Sequence, residues 1–284
     1  MIKMKKVDLH THTYFSDGLL SPKQLISLAN NKKISAISIT DHDTIDGLLE
    51  GKKEAIKKNI EFINGVEFFS IETEILGYLF DEKNSALINF LEKQILQKEK
   101  YAIKKIEQLN NLNIDIEIEE VYEKIKPGRV VTTTHIAQIL LEKGYVKEIQ
   151  EAFKKYINKE KVILKDPPEN AKKIIKLIKN AGGVSVLPHP WYLKDFQKEN
   201  LEYFLIKLEK YGLNGIETTG YIPNENILFE GKNLIKRIKE ISRELKLVET
   251  GGSDFHSEKI HPHNILGKYN ISYTKLNELK KKIK

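Results

Sequence analysis

"ISAISITDHD", residues 34–43, is a run of β-branched and small side chains that stops at Asp41-His42-Asp43. An apolar run of this length reads as a buried strand, and the polar triplet marks where the strand gives way to a loop. Upstream, Ser21-Pro22 supplies an N-cap followed by proline at the first helical position, and Leu25, Leu28 and Ala29 continue at helical spacing. A helix feeding a buried strand is half of a βαβ unit. The same reading applies to "IEFINGVEF" (60–68), "GGVSVLPHP" (182–190), "LNGIETTG" (213–220) and "LKLVETGGSD" (245–254), with helices between several of them. Strands separated by helices imply an α/β fold with a mainly parallel sheet, closed or open.

Two stretches depart from that rhythm. "VEFFSIETEILGYLF" (66–80) alternates without a helix and predicts an antiparallel ribbon. Residues 84–170 are almost wholly helical with Lys/Glu faces, interrupted by "PGRVVTTTHIAQ" (127–138), a loop leading into a helix that starts near Thr134. The expected organisation is therefore a first α/β part over 1–83, a helical insertion over 84–170 and a second α/β part over 171–284.

The 284 residues are 40% hydrophobic and 31% charged, ordinary for a soluble chain that buries a sizeable core. There is no cysteine, which excludes disulfides, thiolate zinc sites and cysteine nucleophiles. The basic N-terminus has no apolar region behind it, and no stretch approaches the roughly 20 apolar residues of a membrane span. A cytoplasmic protein with no membrane partner is expected. The net charge of +7 favours an anionic partner, although lysines in "EGKKEAIKKN" and "ENAKKIIKLIKN" equally describe solvated helix faces.

The histidines are placed unevenly. His10, His42, His189 and His256 each follow directly from an apolar run, so each lies near the C-terminal end of an expected strand. In parallel α/β folds that is the face where active sites are built. Alternate residues of a strand share a face, so His10 and His12 of "VDLHTHTYFSDG" (7–18) can converge, as can Asp254 and His256 of "GGSDFH" (251–256). Asp17 lies in the turn before Gly18, and Glu67 ends its own strand. Imidazoles and carboxylates gathered this way are costly to desolvate without a cation. A His/Asp/Glu site without sulfur suits Mn2+, Zn2+ or Fe2+. The candidates exceed what one ion needs, so two or three ions sharing bridging carboxylates are expected. Such clusters activate water and clamp attacking and leaving oxygens in phosphoryl transfer.

"DLHTHTYFSDG", "ISITDHDT", "GVEF", "VLPHP" and "GGSDFH" resemble, in order and spacing, the motifs of the polymerase-and-histidinol-phosphatase (PHP) metallophosphoesterases. "EILGYLF" and "THIAQILLEKGYVKEIQEAFKKYI" resemble the branch containing 3′,5′-nucleotide bisphosphate phosphatases and a 5′-to-3′ exoribonuclease. The resemblance implies a distorted (β/α)7, TIM-like barrel (the PHP fold) with a helical insertion domain. It implies His10, His12, Asp17, His42, Glu67, His189, Asp254 and His256 as metal ligands, with Glu67 and Asp254 bridging. It further implies two or three divalent ions, Mn2+ foremost with Zn2+, Fe2+ or Mg2+ as options, and attack on phosphorus by a metal-activated hydroxide, which makes Asp254 catalytic too. Asp41 is expected to orient a histidine.

Two positions depart from the branch. Glu74 stands where a histidine usually contributes to a third metal position; a carboxylate can ligate Mn2+ or Mg2+, while a surface glutamate on a ribbon is the plain alternative. Thr133-Thr134 replaces an arginine-proline pair before His135, removing a phosphate contact that Arg129 of the same loop could supply. His135 is read as substrate-facing or as the leaving-group acid, at the start of a helix whose N-terminus favours anions. Trp191, with Tyr192 and Tyr221, could stack on a base or pack on the rim. Glu217 is expected to support a ligand, and His261 and His263 read as loop residues.

The function expected is metal-dependent hydrolysis of a phosphate ester on a nucleotide, such as a 3′,5′-bisphosphate, or on the 5′ end of a short RNA. The alternatives are a histidinol-phosphate-type phosphatase, which needs a site for a small amine, and a non-catalytic nucleic-acid-binding module.

Overall fold

The computed structural model describes residues 5–125, 130–159, 162, 164, 168–193, 201–222 and 227–283. Its strands are β1 (Lys6–Asp8), β2 (Ile34–Ile39), β3 (Glu61–Phe68), β4 (Ile75–Tyr78), β5 (Val184–Leu187), β6 (Gly215–Thr219), β7 (Val248–Gly251) and β8 (Ile271–Ser272). They form one sheet in the order β7-β6-β5-β4-β3-β2-β1-β8. β1, β2 and β3 pair in parallel, as do β5, β6 and β7, whereas β4 runs antiparallel to both β3 and β5. The expected ribbon is thus β3–β4, embedded in an otherwise parallel sheet.

The sheet nearly closes into a barrel beyond the ends of β1 and β7. Thr11 bridges Phe255 in parallel, His12 N–H donates to the Phe255 carbonyl at 2.8 Å, and Asp254 N–H to the His10 carbonyl at 2.9 Å. At the other end β8 pairs antiparallel with β1. The expectation of a distorted TIM-like barrel holds, and β8, too short to read in the sequence, covers the far end of β1.

Period-two alternation decides what each strand shows to the barrel axis. On β3, Val66 and Phe68 join the core under the outer helices, while Ile63 joins the axial core with Ala36, Leu76, Tyr78, Val184, Val186 and Val248. Glu67 keeps the phase of Ile63, so its carboxylate points inward at the rim. Tyr78 plugs the axis below it, its hydroxyl donating to the Leu9 carbonyl at 2.8 Å.

Helices α1 (Pro22–Asn31), α2 (Leu48–Lys57), α7 (Ala171–Asn180), α8 (Leu201–Tyr211) and α9 (Ile227–Glu244) accompany the strands, and α10 (Tyr273–Lys280) closes the base. Ser21 caps α1 reciprocally with Gln24, and Pro22 opens the helix. Between β4 and β5 lie α3 (Ser85–Asn110), α4 (Ile118–Lys124), α5 (Thr133–Glu142), α6 (Ile149–Ala152) and a π-turn over Phe153–Ile157. Ala102, Ile106, Leu109, Val121, Ile136, Leu140 and Ile157 give these helices an apolar core of their own.

The β1–β7 seam leaves no space for side chains. A Cβ on Gly252 would lie 2.4 Å from both the backbone nitrogen and the Cβ of His10. Gly252→Ala is therefore expected to cost about 1–3 kcal/mol of stability. For a chain of this size that is roughly 2–4 °C of Tm per kcal/mol. A thermal melt within a degree of the parent would show that the seam is looser than described.

Candidate metal centre

Because β1, β2, β3, β5, β6 and β7 run the same way, their C-terminal ends open on one face. The antiparallel β4 brings its N-terminal end to that same face, which places Glu74 beside the other candidates although it precedes a strand. The rim gathers all nine expected ligands.

Glu67 is the hub. Its Oε2 lies 3.2 Å from His10 Nε2, 3.3 Å from His12 Nε2 and 3.3 Å from His42 Nδ1; its Oε1 lies 2.9 Å from His189 Nε2. Asp254 Oδ1 faces the same His10 and His12 nitrogens at 3.4 and 3.3 Å. Asp17 Oδ1 is 3.2 Å from His256 Nε2 and 3.8 Å from His42 Nε2. Glu74 reaches His189 Nε2 at 3.3 Å and His42 Nδ1 at 3.7 Å. These atoms form three overlapping groups: His12, Asp17, His42 and His256; His10, His12, Glu67 and Asp254; and His42, Glu67 and Glu74.

Supporting residues aim the ligands. Glu217 Oε1 holds His10 Nδ1 at 3.1 Å, leaving Nε2 to face the cluster, and Glu217 Oε2 accepts the His189 N–H at 2.7 Å. Asp41 does not orient a histidine directly. It accepts from Thr13 N–H (2.7 Å), Thr13 Oγ1 (2.6 Å) and Ser16 Oγ (2.7 Å), so it fixes the turn that carries Asp17. Asp43, His189 and Asp254 at this rim have positive φ of 50°, 26° and 51°.

Do these residues fit divalent ions? His12 Nε2, Asp17 Oδ1 and His42 Nδ1 are buried and lack a hydrogen-bond partner, although each faces groups of opposite sign. Atoms that converge without hydrogen-bond geometry are what ions at a common point require. The electrostatics agree. Burial alone would raise the Glu67 and Asp17 carboxyls, yet the neighbouring imidazoles hold both well below the usual carboxylate range. Burial pulls His12 down, but Asp254 and Glu67 outweigh it and push the ring up to about 10. Against burial, His10 also rises through Glu67, Glu217 and Asp254, and His189 through Glu67 and Glu74.

Three expected substrate or catalytic residues fare differently. Arg129 lies outside the described residues. His135 is buried at the third position of α5, its Nδ1 accepting the Thr132 N–H at 3.1 Å. Burial chiefly holds the ring down to about 4, with a backbone contact to Ser16 opposing. His135 is thus tied to the start of α5 through Nδ1 and to the Ser16 backbone of the barrel. Trp191 packs over Gly220, where a Cβ would come within 2.2 Å of the indole. The aromatic presented at the mouth is instead Tyr192, 44% exposed with its ring 5.3 Å from that of His189. His261 sits edge-on to His256 at 5.0 Å, and His263 stacks on Tyr221 at 5.1 Å.

Sequence reasoning missed Lys98 and Asp43. Asp43 could have been noticed beside His42, but its partner on α3 lies 55 positions away and nothing in either segment points to the other. Their ion pair, at 2.9 Å, is buried at the Asp43 end and partly exposed at Lys98.

A barrel with this rim defines a metal-dependent hydrolase, and comparison with known proteins places it. Residues 8–246 match the PHP domain model, and the chain belongs to the PHP domain family. It is 29% identical to a 5′-3′ exoribonuclease of Haemophilus influenzae over 89% of this chain and 90% of that one. It is 27% identical to a 3′,5′-nucleoside bisphosphate phosphatase of Chromobacterium violaceum over 75% of this chain and 76% of that one. A solved candidate metal-dependent phosphoesterase from Bifidobacterium adolescentis superposes with a TM-score of 0.85 at 24% identity, covering 96% of this chain and 94% of that one. The protein is a metal-dependent phosphoesterase. Among the described residues no helix is long and apolar enough to cross a membrane.

Proposed function

We propose that the protein hydrolyses a phosphate ester on a nucleotide of the 3′,5′-bisphosphate class or on the 5′ end of a short RNA, using Mn2+. The observation that carries this reading is the trio of overlapping ligand groups sharing Glu67, His12 and His42 at one barrel mouth. Divalent ions held there supply an activated water and neutralise charge on phosphate oxygens.

The chain's own residues do the rest. His10, His12, Glu67 and Asp254 hold one position, and His12, Asp17, His42 and His256 a second. Glu74 with His42 and Glu67 holds a third, and His189 completes the ring of donors. The carboxylate share favours Mn2+ over softer ions. Glu217 keeps His10 in the tautomer that presents Nε2 inward. Residues 84–170 act as a cap domain between barrel parts 1–83 and 171–284, and Tyr192 offers a face for a base. The relatives' names favour a nucleotide or RNA end over histidinol phosphate, and a cytoplasmic setting suits both substrates.

Mn2+-loaded protein is expected to release phosphate from adenosine 3′,5′-bisphosphate, or shorten a 5′-phosphorylated RNA oligonucleotide, faster than it releases phosphate from histidinol phosphate. The reverse ranking would overturn the substrate class.

A further inference from the structure

We propose that Lys98 of helix α3 is a positioning residue for the ion held by His42, Glu67 and Glu74, acting through Asp43. The inference rests on the metal reading above and assigns a task to the insertion: the cap helps to build the metal centre as well as covering it.

Asp43 follows His42 directly, is fully buried and sits in the left-handed region at φ 50°. Its N–H donates to the Glu67 carbonyl at 2.9 Å. Its Oδ1 accepts the Phe69 N–H at 3.1 Å, and its Oδ2 takes the Lys98 ammonium at 2.9 Å. One turn earlier on the same face of α3, Gln94 Nε2 donates to the Phe69 carbonyl at 2.9 Å. Phe69 is therefore gripped at both backbone groups, from Asp43 on one side and α3 on the other.

The gripped positions are the roots of the third ligand group. His42 precedes Asp43; Glu67 precedes Phe69 by two residues; and the turn from Ser70 to Thr73, closed by Ser70 Oγ on the Thr73 carbonyl, delivers Glu74. Lys98 itself touches none of the three. Its charge compensates a carboxylate that would otherwise be buried and unpaired at the hinge between them, where a group without its cation turns toward water. The neighbouring acids Glu74 and Asp17 also favour the ammonium. The other two groups share His42 or Glu67 with the third, but each adds ligands that the Lys98 network does not hold, Asp17 and His256 in one and His10 and Asp254 in the other, whereas the third adds only Glu74.

The test is Mn2+ titration of metal-stripped protein, with free Mn2+ read by electron paramagnetic resonance and Tm recorded in parallel. Wild type is expected to take up three ions. Lys98→Met is expected to keep two with affinity changed less than about threefold and to bind the third about 10–100-fold more weakly, the loss typical of outer partners of metal ligands. The double variant Lys98→Met/Asp43→Asn removes both charges and keeps an amide oxygen for the Phe69 N–H. It is expected to recover the third ion, and it carries the test should the single variant fail to fold. Uptake by Lys98→Met equal to wild type, with or without a lowered Tm, makes Lys98 a mere anchor of the cap and overturns the inference. A double variant that lacks the third ion also overturns it, since the effect then does not run through Asp43. Wild-type uptake of two ions overturns the inference and leaves the phosphoesterase reading standing; uptake of none sinks both.

Discussion

Replacing Glu67 by Gln is expected to reduce phosphate-ester hydrolysis by about 10³-fold or more while the barrel stays folded. Glu67 is the carboxylate that faces four imidazoles, those of His10, His12, His42 and His189. It belongs to two of the three ligand groups. An amide at this position has one acceptor in place of two anionic oxygens and turns an N–H2 toward nitrogens whose lone pairs are needed by the ion. Losing several kcal/mol of metal-derived charge stabilisation corresponds to roughly three powers of ten in rate. Its side chain is inward and buried at the rim, with the apolar axial core of Ile63, Leu76 and Tyr78 beneath it, so the barrel is expected to stay folded without its charge, at some cost in stability when metal is absent. The measurement is steady-state kinetics with Mn2+ in excess, beside a far-UV circular dichroism melt. Activity within tenfold of wild type would remove Glu67 from the reacting cluster.

The second large effect is a coupling between metal and protons. A chelator is expected to abolish activity, and Mn2+ affinity is expected to rise about tenfold per pH unit for each proton an ion displaces. The sign follows from the metal-free state. His12 is raised from 6.5 to about 10, so between those values the folded ring keeps a proton that a free histidine would have lost. Binding must expel it, which becomes easier as pH climbs and levels off above about 10. His10 and His189, also raised, steepen the slope. The same shifts set the stability of the metal-free protein. The raised histidines contribute fully below 6.5, and that contribution is lost as pH rises through their folded values. The lowered carboxyls of Asp17 and Glu67 contribute above their ordinary values of 3.8 and 4.5, and lose it as pH falls. Maximum stability without metal is thus expected between about pH 5 and 6.5. Melting curves against pH, with and without chelator, and calorimetric titration in buffers of different ionisation heat measure both. A metal affinity that is flat from pH 6 to 8 would mean that the imidazoles bind no protons to give up.

Much of the site was legible because its ligands are local to strand ends. His10 and His12 share a face by period two, and "SITDHD", "GVEF" and "GGSDFH" each end an apolar run in a donor, so the candidate ligands that the rim gathers could be listed before any pairing was known. Glu74 was harder, since its place depends on β4 running against its neighbours, and the register of a four-residue strand is a property of the sheet. Trp191 and Tyr192 show the limit plainly. Adjacent in sequence and alike in chemistry, they are separated by Gly220, whose missing side chain leaves room for the indole and sends the phenol to the mouth.

By itself the sequence determined the α/β alternation, the helical insertion and the ligand types, because hydrophobic period and side-chain chemistry are carried by residues a few positions apart. Tertiary structure alone decided that Glu74 faces inward, that His135 Nδ1 is committed to the backbone opening α5, and that Lys98 reaches across to Asp43. Each of these depends on which buried polar group meets which partner. A buried charge settles that by finding its counter-charge in space, at whatever distance along the chain the fold supplies one.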